Sequence, residues 1–172
     1  MSRPIDSFDL GGLRLAAGAG RRLELQVAGP VLSLGGERYE VAPDPLTVRI
    51  DVSRTTGEGY ALRLAFTARL LGPCMRCLGA AQPTLEIEMR EVDQPGGGEE
   101  LESPYLRRGV LDVRSWVRDA VALSVPAQVL CRPQCAGLCA TCGADLNLAG
   151  PAHEHPPGAD GRWAALARLR LR

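Results

Sequence analysis

The sequence predicts an α+β protein: mainly antiparallel β-sheet, open or curled toward a barrel, with a C-terminal helix and a cysteine-rich zinc-binding extension. Three observations lead there. Apolar residues alternate with polar ones before residue 93, a helical apolar stripe follows residue 110, and four cysteines stand within twelve residues behind that stripe. The chain has 172 residues, long enough to bury roughly 70% of the surface its unfolded form exposes.

The strands are read from four runs. Leu23, Leu25 and Val27 alternate with Arg22, Glu24 and Gln26; Leu46, Val48, Ile50 and Val52 with Thr47, Arg49 and Asp51. Leu62, Leu64, Phe66, Ala68 and Leu70 form a longer run, and Leu85, Ile87 and Met89 alternate with Glu86, Glu88 and Arg90. Side chains on a strand point alternately to its two faces, so each run has one buried side. The last two runs flank Gly72-Pro-Cys-Met-Arg-Cys-Leu-Gly and are expected to be antiparallel neighbours. The helix is read over Leu111 to Leu123. Leu111, Val113, Trp116, Val117, Ala120, Val121 and Leu123 approximate one stripe, and Pro126 marks a stop.

The expected organisation is an antiparallel β domain over 1–93, an acidic Gly-rich connector over 94–102, and a helix with a zinc-binding loop over 103–148. A Pro/Gly linker over 149–161 and a basic C-terminal helix over 162–172 complete it.

Twenty acids balance twenty basic residues, all of them arginine. Such a chain lacks the overall basic footprint of a strong non-specific nucleic-acid binder, and no DNA partner is expected. Aromatics make up 4%, too few for an extended base-stacking platform. No run approaches the ~18 apolar residues of a membrane helix. The N-terminal residues carry acids and no apolar core, so no export signal is read, and the thiols are assigned to a reducing compartment. There, clustered cysteines are metal ligands or redox groups rather than disulfides.

Cys131-x3-Cys135-x3-Cys139-x2-Cys142 offers four thiolates to one tetrahedral ion, with Gly137 and Gly143 to permit unusual turns. This local set is the expected zinc site. Cys74-x2-Cys77 is a weaker signal: an alternative pair of ligands, a redox dithiol, or an unmetallated pair. Six cysteines cannot fill two four-cysteine sites. The local set is favoured because a shared site must close a longer loop, although that cost grows slowly. His153-Glu-His155 could add ligands, but its Pro/Gly surroundings read as an ordinary linker.

The order of these pieces resembles the large ribosomal RNA subunit accumulation protein family, called YceD-like. The matching stretches are Cys74-Met-Arg-Cys77-Leu, an acidic variable stretch, Val110-Leu-Asp-Val, Ala122-Leu-Ser-Val-Pro, Leu130-Cys to Asn147, and Asp160-Gly-Arg-Trp. The resemblance implies a cytoplasmic, non-enzymatic factor that supports accumulation or processing of 23S rRNA. Its partner would be large-subunit rRNA precursor, a ribosomal protein or an assembly particle. The candidate contact residues are Arg107, Arg108, Arg114, Arg118, Arg162, Trp163, Arg168, Arg170 and Arg172. The alternatives are a dithiol redox protein acting through Cys74 and Cys77, and a zinc-stabilised protein-interaction module.

Overall fold

The alternating runs become strands in the computed structural model, which describes residues 3–155. In chain order the elements are β1 (Ser7–Asp9), β2 (Gly20–Val27), β3 (Val31–Leu34), β4 (Glu37–Ala42), β5 (Leu46–Arg54) and β6 (Tyr60–Pro73). Then come β7 (Ala80–Ala81), β8 (Thr84–Asp93), β9 (Leu106–Arg107), β10 (Val110–Asp112), α1 (Val113–Ser124) and α2 (Leu146–Ala149).

The 14-residue β6 organises the larger sheet. Its first half pairs with β5, matching Ile50 with Leu64 and Val52 with Leu62. Its second half pairs with β4, and β8 runs antiparallel beside it from Tyr60–Asp93 to Arg69–Thr84. The neighbouring runs expected around residues 72–79 are thus paired as anticipated. β2 extends the sheet beyond β5, and β3 extends it beyond β4. The register brings the apolar members of each run opposite one another: Leu25 meets Val48, Leu64 meets Met89, and Phe66 meets Ile87. Buried aliphatic side chains of this size each contribute about 1.5–3 kcal/mol, which compensates for the scarcity of aromatics.

The sheet does not close into a barrel: among the described residues β2, β3 and β8 each pair with a single strand and remain its edges. Its apolar residues are covered from outside the sheet instead. α1 packs on β8, β2 and β1 and buries Val113, Trp116, Val117, Ala120 and Val121 completely. Trp116 stacks on Tyr105, with ring centroids 6.0 Å apart.

The helix begins two residues later than expected, because Val110–Asp112 is drawn into a small antiparallel sheet with β1 and β9. Asp112 then caps it, accepting a hydrogen bond from the Ser115 N–H at 2.9 Å. This pairing also crosses the connector. β1 belongs to the first ninety residues and β10 to the segment after residue 102, so one hydrophobic core spans both sides of residues 94–102. The connector is a compact turn: Gln94 N–H donates to Leu101 O at 2.7 Å, and buried Asp93 accepts from Ser103 N–H at 3.1 Å.

Candidate metal centre

The Cys74-x2-Cys77 turn sits where β6 ends and β7 begins. Tyr39 O–H donates to Pro73 O at 2.8 Å and anchors the end of β6. Cys74 N–H donates to Gly79 O at 2.6 Å, and Leu78 N–H to Cys74 O at 2.9 Å, closing a tight turn.

The cysteine-rich loop docks on this turn through backbone hydrogen bonds. Met75 N–H donates to Val129 O at 2.8 Å, and Leu138 N–H donates to Arg76 O at 3.0 Å. Gly137 permits the second contact. Its φ is +81°, and a Cβ there would stand 3.1 Å from Arg76 O.

Docking brings Cys74, Cys77, Cys131 and Cys135 together, with all four sulfurs within 4.8 Å of one another. Cys74 Sγ lies 3.8 Å from Cys135 Sγ, and Cys77 Sγ 3.7 Å from Cys131 Sγ. A regular tetrahedron with 2.3 Å zinc–sulfur bonds has edges of about 3.8 Å. The four thiols therefore fit one tetrahedral ion and could hold it. Burial opposes ionisation of Cys74, but N–H donors from Cys77, Arg76 and Cys131 outweigh it and bring the thiol down to about 6. Cys131, exposed as a residue, is pushed up to about 12 by the loss of water around its sulfur and by the neighbouring thiols Cys135, Cys77 and Cys74. Four thiolates so close repel one another, and a divalent cation removes that conflict.

The expected grouping of Cys131, Cys135, Cys139 and Cys142 is not what the fold assembles. Cys139 and Cys142 belong to a second group with His153 and His155, again with all four ligand atoms within 4.8 Å. Cys139 Sγ lies 3.3 Å from His155 Nε2, Cys142 Sγ 3.4 Å from His153 Nε2, and the two Nε2 atoms are 3.0 Å apart. Cys139 forms a knuckle: its sulfur accepts from Thr141 N–H at 3.4 Å, and its carbonyl from Gly143 N–H at 2.8 Å. N–H donors from Cys142 and Thr141, and then His153, bring the Cys139 thiol down to about 6.

The two histidines read as an ordinary linker are thus part of this cluster. Arithmetic could have found them: one complete four-cysteine set leaves two cysteines over, and the chain contains just two histidines, both within thirteen residues of Cys142.

Asn147 is the other residue that spacing did not single out as functional. Its Oδ1 accepts from Arg132 Nη2 at 2.7 Å and from Ala136 N–H at 2.9 Å. Its Nδ2 donates to Asp145 Oδ1 at 2.7 Å and to Cys135 Sγ at 3.5 Å. Asn147 lies on α2 between Cys142 and His153, so it ties the buried thiol cluster to the segment carrying the second one.

The arginines expected to meet a partner are only partly gathered. Arg107 and Arg118 line one groove with Asp6, Asp112 and Asp119, and Arg114 and Arg118 line another against Gly29 and Pro30. Arg108 joins Arg107 in a third hollow, beside Asp93 and Glu102. Arg114 pairs with Asp6 at 3.3 Å and Arg118 with Asp119 at 2.8 Å, so this face has mixed charge. Arg162, Trp163, Arg168, Arg170 and Arg172, with the expected basic helix, lie outside the described residues. No helix of the described residues is long and apolar enough to cross a membrane.

The fold and site define a mainly antiparallel β protein with one covering helix and two clusters, one of four thiols and one of two thiols with two imidazoles, that could each hold a metal ion. Comparison with known proteins narrows this further. The family described as large ribosomal RNA subunit accumulation protein YceD matches residues 62–170, from β6 through both cysteine clusters, and the chain belongs to that family. An uncharacterised protein of Mycobacterium tuberculosis is 31% identical over 121 residues, covering 67% of this chain and 58% of the relative. An uncharacterised protein of Mycobacterium leprae is 29% identical over 134 residues, covering 74% and 59%. A Zea mays protein named large ribosomal RNA subunit accumulation protein YCED homolog 1, chloroplastic, is 26% identical over 177 residues, covering 83% and 59%. The chain thus spans under two thirds of the length of these relatives. No solved structure matches it.

Proposed function

We propose that the protein is a non-enzymatic factor in large ribosomal subunit biogenesis, supporting accumulation or processing of 23S rRNA. We also propose that Cys74, Cys77, Cys131 and Cys135 hold a structural zinc ion. The observation that carries the first part is the family match over residues 62–170. It is supported by the name of the maize relative. The observation that carries the second is the sulfur separation of 3.7–3.8 Å, the edge of a zinc–thiolate tetrahedron. Bound zinc would act as a cross-link, pinning the loop after α1 to the turn after β6. That would give a partner a rigid surface rather than a mobile loop.

Burial of Cys74 disfavours a redox role for the Cys74–Cys77 pair. Cys77 is partly exposed, but Cys74 is buried, and thiol–disulfide exchange needs an accessible thiolate.

The test is genetic and physical. Cells lacking the protein should contain less mature 23S rRNA relative to small-subunit rRNA. The intact protein should co-sediment with large-subunit precursor particles, and salt should weaken that association if arginine–phosphate contacts carry it. An unchanged rRNA ratio together with no co-sedimentation would end this reading.

A further inference from the structure

We propose that Cys139, Cys142, His153 and His155 form a second, separate metal site of the two-thiolate, two-imidazole class. It would take a borderline-soft divalent cation such as zinc and fold the segment Gly150–His155 back onto the Cys139 knuckle.

Geometry is the first support. A tetrahedral ion with bonds of 2.3 Å to sulfur and 2.0–2.1 Å to nitrogen sets sulfur–nitrogen edges of about 3.6 Å and a nitrogen–nitrogen edge of about 3.3 Å. The separations here, 3.3, 3.4 and 3.0 Å, fall slightly inside those edges. The imidazole rings meet edge to face, with centroids 4.7 Å apart, and their Nε2 atoms lie close to each other and to the two sulfurs.

Solvent exposure is the second support. Cys142 and His155 are exposed, and Cys139 and His153 half-buried. Exposed hydrogen bonds gain little over bonds to water. They do not pay for ordering a short Pro/Gly segment whose one backbone tie beyond Gly150, among the described residues, is His153 N–H to Gly150 O at 3.3 Å. Four soft or borderline donors converging there are what a cation explains. Hard cations such as magnesium and calcium prefer oxygen ligands and do not suit this set.

Construction is the third. Each cysteine–histidine contact spans only 11 or 16 residues. The intervening chain is shaped for the return. Asp145 caps α2, accepting from Asn147 N–H at 2.8 Å, and Gly150 ends it at φ +72°. The site shares no ligand with the Cys74 cluster, so each can be emptied alone.

Cobalt(II) is the probe, because its thiolate charge-transfer absorption scales with the number of sulfur ligands. The full chain, stripped and titrated under reducing conditions, should take two cobalt ions, and elemental analysis after zinc loading should give two zinc ions. H153Q/H155Q should fall to one ion, lose the absorption of the two-thiolate site, and unfold at nearly the same temperature as the parent. H153C/H155C, which supplies thiolates at the same positions, should return to two. One ion in the parent chain that H153Q/H155Q retains, or two retained by H153Q/H155Q, would overturn the second site. Either result leaves the rRNA measurement above unaffected.

Discussion

The two cysteine clusters use similar chemistry on different scales. The buried one joins residues 54 and 61 positions apart and fastens a loop to the end of the central strand. The exposed one joins residues 11 and 16 positions apart and folds a loop on itself. The difference teaches that a ligand set is identified by what it connects. The first belongs to the tertiary structure of the whole protein, whereas the second organises one surface segment.

Breaking the buried cluster should have the largest effect. Structural zinc contributes an apparent ~10–16 kcal/mol at neutral pH. C74S/C135S, or full chelation of the parent, should release the loop. Hydrogen exchange should then rise at the Met75 and Leu138 amides, while β5, β6 and β8 keep their protection. Loss of protection throughout the sheet would show that the loop is integral to the core rather than docked upon it.

Trp116→Ala strikes the body instead. Truncating a fully buried tryptophan costs about 3–5 kcal/mol. It should lower the thermal midpoint while leaving the metal content of the folded protein unchanged. Trp116→Phe should be milder, since the buried indole N–H has no hydrogen-bond partner to lose among the described residues. A fall in metal content with Trp116→Ala would mean that the helix and the cysteine loop are coupled.

Asn147→Ala sharpens the contrast most finely. It removes the acceptor of Ala136 N–H and the donor to Cys135 Sγ, a loss of about 0.5–1.5 kcal/mol. Losing a hydrogen bond to a ligand typically weakens metal affinity about 10–100-fold. Chelator competition should show that drop at the buried site first. An equal drop at both sites would make Asn147 a shared support.

Much of the sheet was legible because strand patterning is local. Alternation along residues 46–52, 62–70 and 85–89 needs no knowledge of partners, and those runs are β5, β6 and β8. The short strands β1, β9 and β10 were not, since two or three residues carry no period and exist only through each other. The late start of α1 had a visible sign, an aspartate at position 112 before the apolar stripe, whose capping role competes with reading Leu111 as helical.

The sequence alone determined that the clustered cysteines are candidate metal ligands and which apolar residues would face inward. Both follow from side-chain chemistry and from the periodicity of the backbone. The tertiary structure decided how the ligands divide. Choosing distant partners over adjacent ones costs only roughly 2 kcal/mol of closure entropy, because that penalty grows with the logarithm of loop length. Docking overcomes so small a bias. The backbone bonds Met75–Val129 and Leu138–Arg76 place Cys131 and Cys135 against the turn after β6. That leaves Cys139 and Cys142 to meet the two histidines.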